Sequence, residues 1–264
     1  MRNSLKLFIL AAVCSVTAGC NKDEVLLPEE NGYFRPATSG SSAYCDRVYE
    51  WTPAPGQFIN EAAWGGPMAD PEEAASWAEG RFEKRLAVSL GGFGGYIVVG
   101  FDHSIAASPD GGYDFGVGGN AFFESGTESG GSNEPGIVYV MQDENGNGLP
   151  DDTWFELSGS ESGNPATIRG YEVTYYRPDS AGCKIAWTDN CGGSGFIPYM
   201  GMFHSQDSYY PAWVRSDSYT LRGTRLEALG GRNESTGRWE TIARGGGYAD
   251  NMGCDNIRRE DFHQ

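Results

Sequence analysis

Apolar and polar residues alternate with a period of two over much of the chain after residue 85. Leu86, Val88 and Leu90 alternate with Ala87 and Ser89, the pattern of a half-buried strand. After a glycine-rich break at 91–95, Tyr96, Ile97, Val98 and Val99 form a continuous apolar run, as in a strand covered on both faces. Further strands are expected at 113–117, 137–141, 153–157, 171–176, 185–188, 219–221, 225–229 and 239–243. One helix start is legible. Asp70-Pro71-Glu72-Glu73 supplies a cap residue, a proline at the first helical position and acids in the first turn. That helix is expected over 71–79, ending at Gly80. Short strands separated by turn residues, without regular helices between them, predict an all-β fold. The expected form is a single-domain antiparallel β-sandwich or jelly roll with one short helix, spanning 46–264.

The glycines at 91–95 are not a phosphate loop. No Lys-Ser/Thr pair follows them, and a strand rather than a helix comes next. They predict close backbone packing and a sharp bend.

The N-terminus carries a different pattern. Arg2 and Lys6 precede a short apolar run, and small residues Thr17, Ala18 and Gly19 stand directly before Cys20. The run is too short for a permanent membrane span and reads as an export leader at 1–19. Small residues ending at a cysteine resemble the lipobox of bacterial lipoproteins, which makes Cys20 the expected lipidation site. Asn21-Lys22-Asp23-Glu24 is similar to the export tag of Bacteroidota lipoproteins carried to the outer face of the outer membrane. Several acyl chains anchor stably where one binds marginally, at about 0.8 kcal/mol per buried methylene. Residues 20–45 contain Pro28, Pro36 and a Ser/Gly cluster, and are expected to be the lipid anchor and a flexible tether.

Charge narrows the partners. The chain has 36 acidic against 19 basic residues, a net charge of −17. Such a surface repels nucleic acid, whose binding rests on neutralising phosphates. Beyond Cys14 in the leader and Cys20, four cysteines remain: Cys45, Cys183, Cys191 and Cys254. An even count in an exported chain predicts two disulfides with three possible connectivities. The favoured one joins Cys183 with Cys191 and Cys45 with Cys254. No C-x-x-C occurs and the three histidines are far apart, so a zinc site is not expected.

One loop has metal chemistry. Asp143, Asn145 and Asn147 place oxygens at alternate positions, Gly148 permits a turn, Leu149 offers a carbonyl, and Asp151 and Asp152 follow. These spacings match an EF-hand-like calcium loop, except that Trp154 stands where the bidentate acid belongs. Calcium is the expected cofactor. A plain hairpin built of Asn-Gly turns is the alternative.

Aromatic residues crowd into 199–213. Phe203, His204, Tyr209 and Tyr210 are candidate ligand-binding residues, able to stack on a sugar ring or a flat macrocycle, against the alternative that the segment packs on the core. Trp213 is expected in the core. No G-x-S-x-G or H-E-x-x-H occurs, so no enzyme is expected. With 36 acids, chance carboxylate pairs carry no signal for glycoside hydrolysis. Asp179-Ser180-Ala181 is similar to the O-glycosylation acceptor of Bacteroidota exported proteins.

From Ser89 onward the chain resembles a family of Bacteroidota cell-surface lipoproteins. The resemblance is carried by SLGGFGGYIVVGFDHSI (89–105), YDFGVGGNAF (113–122), EPGIVYVMQDENGNGLPDDTWFELSGSE (134–161), YEVTYYRP (171–178), YYPAW (209–213) and GGYADN (246–251). It implies a lipid-anchored outer-membrane β-sandwich exposed at the cell surface. Its implied role is to capture a nutrient ligand, corrinoid (vitamin B12) first, as a non-enzymatic accessory to a TonB-dependent receptor. A glycan-binding or adhesion module and a glycoside hydrolase are the alternatives. Family members continue past the YADN segment into two further strands, whereas this sequence stops at Gln264, an apparent truncation.

Overall fold

The computed structural model describes residues 5–8 (backbone only), 33–106, 108, 113–124 and 130–252. Cys20 and Cys254 lie outside the described residues, and so does the expected pairing of Cys45 with Cys254. The fold is all-β, with several antiparallel sheets and one α-helix among the described residues. No helix among them is long and apolar enough to cross a membrane. The chain forms two compact units, each discontinuous in sequence. Strand periodicity shows which face of a strand is covered, not which strands cluster, so the division was not legible.

Unit 1 comprises the described residues within 1–47, 98–160 and 229–264. Strand β1 (Leu5–Phe8) pairs antiparallel with the end of β3 (Tyr96–Gly100) on one side and with β6 (Tyr139–Gln142) on the other. Residues expected to be leader therefore sit mid-sheet. β7 (Trp154–Glu156) pairs with β6 to close a hairpin, Met141 opposite Trp154. A second sheet has the order β12 (Gly230–Arg232), β13 (Trp239–Ile242), β5 (Gly130–Ser132), β4 (Phe122–Phe123). The expected tether is not free over its described part. Arg35 N–H donates to Ser104 Oγ at 2.9 Å, and Ser41 Oγ donates to Asp102 Oδ2 at 2.9 Å.

The YADN segment pins unit 1. Asp250 Oδ1 accepts the N–H groups of Asn120 and Ala121 at 2.7 and 2.8 Å. Buried Asn251 accepts the Arg244 N–H at 2.6 Å and donates to the Arg244 and Gly245 carbonyls, both at 3.0 Å. Asp250 has φ 51°, a left-handed conformation that Asp and Asn adopt more readily than other side-chain-bearing residues.

Unit 2 comprises residues 48–97 and 161–228. Its sheet runs β10 (Ser194–Ile197), β9 (Ile185–Asp189), β8 (Ile168–Tyr176), β11 (Ser218–Arg225). Alternation decides the inner face: Tyr171, Val173 and Tyr175 of β8 are buried with Ile185 and Leu221. Helix α1 (Pro71–Glu83) starts as expected, with Asp70 accepting the Glu73 N–H at 2.9 Å. It runs through Gly80 because Ala74, Ala78 and Phe82 continue the buried stripe at four-residue spacing. Trp77 on that helix stacks on Trp51 of β2 (Arg47–Thr52) at 4.9 Å, and Trp213 meets Trp51 at 5.2 Å. Residues 86–90, expected as a strand, are irregular. They lie against residues 51–54: the Trp51 indole and the Ala54 N–H donate to the Ser89 and Leu90 carbonyls. The glycines behind them allow this approach, since a Cβ at Gly91 would overlap the Ala54 carbonyl and one at Gly95 the Leu90 carbonyl.

The favoured Cys183–Cys191 disulfide is absent, and both residues are exposed free thiols. All of β9 lies between them. An extended strand advances about 3.3 Å per residue, whereas a disulfide needs its Cα atoms within about 7 Å. A bridge there would break the strand.

Replacing Asp250 by Ala is expected to lower stability by about 1–3 kcal/mol in denaturant unfolding, because two backbone N–H groups lose their acceptor. Asp250→Asn, keeping one acceptor and the favoured backbone, should cost less. Burial raises the Asp250 carboxyl above its ordinary range, opposed by the Ala121 and Asn120 N–H donors. Its contribution is therefore fully present below the ordinary carboxylate pKa of about 4 and falls as pH rises through the raised folded value. Asp250→Asn should flatten that part of the stability–pH curve.

Candidate functional site

In unit 2 the aromatic segment divides into residues that hold and residues that display. Tyr209 and Tyr210, expected at a ligand, are 1% and 2% exposed and belong to the core. This corrects the expectation. Their rings are packed, at 5.2 Å from Tyr199 and 5.1 Å from Tyr219 respectively, and their hydroxyls are committed to the Met200 N–H and the Ser216 carbonyl. Trp213 is buried as expected. A turn then projects outward: Phe203 and His204 N–H both donate to the Met200 carbonyl, at 3.0 and 3.1 Å. At its tip Met202 is 91% and Phe203 72% exposed.

His204 sits at the base of this tip. Its Nδ1 is 3.0 Å from Oε1 of Glu61, a buried carboxylate. A carboxylate acceptor at Nδ1 fixes the tautomer with the proton there and leaves Nε2 as the acceptor or ligand atom. Phe58 meets the His204 ring edge-on at 4.4 Å and Trp64 at 5.1 Å, and Arg81 lies over Trp64 at 4.7 Å. Phe58 has φ 65°, a conformation that costs energy in a bulky residue and recurs at binding sites. Trp64, Met200, Met202 and Phe203 are all exposed. Together they make an apolar rim around one oriented imidazole.

Asn60 holds the rim's foundation. Its amide Nδ2 donates to the Ser208 and Tyr210 carbonyls at 2.7 and 2.8 Å, its Oδ1 accepts the Ala212 N–H at 3.1 Å, and its own N–H donates to Gln206 Oε1 at 2.7 Å. Beside it lies a cavity of about 380 Å³ lined by Asn60, Arg177, Ser180, Asp207 and Tyr210 among others. Periodicity did not find Phe58, Glu61 or Trp64. The available signal was two aromatics and an acid in a segment bounded by Gly56 and Gly65.

The second candidate lies in unit 1, on the β6–β7 hairpin. Asp143 Oδ2 accepts the Gly148 N–H at 2.9 Å, Asn145 Oδ1 accepts the Asn147 N–H at 3.0 Å, and Asn147 Oδ1 accepts the Leu149 N–H at 2.7 Å. Gly146 and Gly148 take positive φ, 72° and 78°, so the loop winds inward on alternate side chains as its spacing suggested. Asp151 accepts the Asn145 and Asn147 amides at 3.1 and 2.8 Å. Asp152, an expected metal ligand, instead closes the loop, with Oδ2 accepting the Glu144 and Asn145 N–H groups at 3.0 and 3.5 Å. Glu156 is engaged by the Tyr139 hydroxyl at 2.8 Å. Among the described residues, no group of three or more His, Cys, Asp or Glu converges on one point.

A scan against protein-family models matched none, and a search of curated proteins matched none.

Alanine substitutions should separate the two classes of aromatic residue. Tyr209→Ala is expected to cost about 3–5 kcal/mol of stability, as for a large buried side chain, whereas Phe203→Ala and Met202→Ala should stay within about 0.5 kcal/mol. Urea unfolding of the three variants measures this directly.

Proposed function

We propose that this protein is a lipid-anchored, non-enzymatic binding protein of the outer cell surface that captures a nutrient ligand for an outer-membrane receptor of the TonB-dependent kind. The observation that carries it is the rim of Trp64, Met202 and Phe203 beside a histidine held by a buried carboxylate. Water-facing apolar side chains grouped around one fixed polar atom are suited to a ligand with a flat face and a hydrogen-bonding or coordinating centre. A corrinoid has both, and is the first ligand proposed. The cavity beside Asn60 suits a smaller polar group such as a sugar, so a glycan is second. The export leader, Cys20 and the resemblance of residues 89–251 to surface lipoproteins support the location. In this reading, cleavage before Cys20 removes β1 from between β3 and β6.

Calorimetric titration of the exported, leader-free protein with cobalamin and a glycan panel tests the proposal. Saturable cobalamin binding is expected, weakened by about tenfold or more in a Phe203→Ala/His204→Ala double variant. Glycan binding alone would move the assignment to the second ligand. Absence of heat with every compound would overturn the proposal in favour of an adhesion module.

A further inference from the structure

We propose that the loop at 143–152 is a calcium site built on oxygen ligands, with Asp143 as its anchoring carboxylate. Asp143 is fully buried, at 0% exposure, and its Oδ1 has no hydrogen-bond partner. Its other oxygen already serves the loop through the Gly148 N–H. A buried carboxylate oxygen that lacks a donor is costly unless a cation satisfies it. The nearest positive group is Arg35, whose Nη2 stands 3.8 Å from Oδ2, looser than a hydrogen-bonded ion pair. That contact leaves Oδ1 unserved.

The same loop can supply the remaining oxygens. Asn145 and Asn147 each use one lone pair of the carboxamide oxygen on a backbone N–H, and a carbonyl-type oxygen has a second. The Leu149 carbonyl and an Asp151 carboxylate oxygen extend the set, and water completes the six to eight oxygens that calcium takes, about 2.3–2.6 Å away. Asp152 stays outside the shell as the acceptor that closes the loop. The donor set excludes soft-metal chemistry, because it has neither thiolate nor imidazole. Two carboxylates among mostly neutral oxygens, with Arg35 nearby, place the affinity in the weak extracellular range, about 0.1–1 mM. Calcium bound here joins the ends of β6 and β7 and satisfies the buried carboxylate, so it stabilises unit 1 by mass action.

Thermal melting of the chelator-treated protein tests this. Calcium at about 10 mM is expected to raise Tm by about 4–8 °C, with a smaller shift for magnesium, which fits a loop of carbonyl and carboxamide oxygens poorly. Terbium substituted for calcium should show emission sensitised by Trp154, which follows the loop on β7. Asp143→Asn should abolish both signals. Should that variant not fold, Asp151→Asn in the exposed part of the loop should weaken both. Arg35→Gln should tighten calcium binding about three- to tenfold by removing a nearby positive charge. The proposal is overturned by a parent protein whose Tm ignores calcium, or by calcium shifts that persist in both loop variants. An Arg35→Gln protein that melts lower with unchanged calcium response would also overturn it, since Asp143 would then be the partner of Arg35 alone.

Discussion

A buried peptide group must be hydrogen-bonded, and much of this backbone lies outside the regular strand ladders where that happens automatically. Short Asx side chains supply the missing partners. In unit 2, Asn60 makes four hydrogen bonds to the 206–212 connection. In unit 1, Asp250 and Asn251 hold 120–121 and 244–245, and Asp152 closes the turn between β6 and β7. An Asx side chain reaches backbone two or more residues away with little rotamer entropy to lose. Each therefore turns an irregular segment into a defined one without a ladder. Both candidate sites stand on segments held this way.

In the aromatic loop this has a functional consequence. Tyr199 and Tyr209 pack against each other below the turn, and the Tyr209 hydroxyl holds the Met200 N–H. The turn above them is a fixed support, so Phe203 and Met202 remain exposed without collapsing onto the core. Glu61 does the same for His204 by holding its Nδ1. Pre-organisation of this kind lowers the ordering cost of binding. The calcium proposal concerns a different unit and a different chemistry, so either can fail without the other.

Regular elements with one covered face were legible. The apolar run at 96–99, the alternation at 171–176 and the cap at Asp70 each appear where sequence placed them, because period and capping are local properties. Six strands were missed: β1, which falls in the expected leader, and β2, β4, β5, β10 and β12. β4, β5 and β12 are two or three residues long, and β5 and β12 are rich in glycine, too short and too bare for an alternation to register. The reverse error occurred at 113–117 and 226–229, which are irregular, and at 86–90, which alternates like a strand but gives its carbonyls to neighbouring side chain and backbone rather than to a ladder. Of the candidate site residues, Phe203 and His204 are displayed and Tyr209 and Tyr210 are not. Composition is the same for both pairs, and only the neighbours differ.

Sequence by itself determined the strand-rich class, the helix start, the close glycine packing behind residue 90 and the inward winding of the 143–152 loop. All depend on residues within a few positions of one another. Only the tertiary structure decided that the chain divides into two units, that Cys183 and Cys191 stand apart, and that Glu61 meets His204 across 143 residues. Those outcomes depend on which segments become neighbours. Hydrophobic burial drives such segments together without direction, and the partners are then selected by shape and by unsatisfied polar groups that no local pattern encodes.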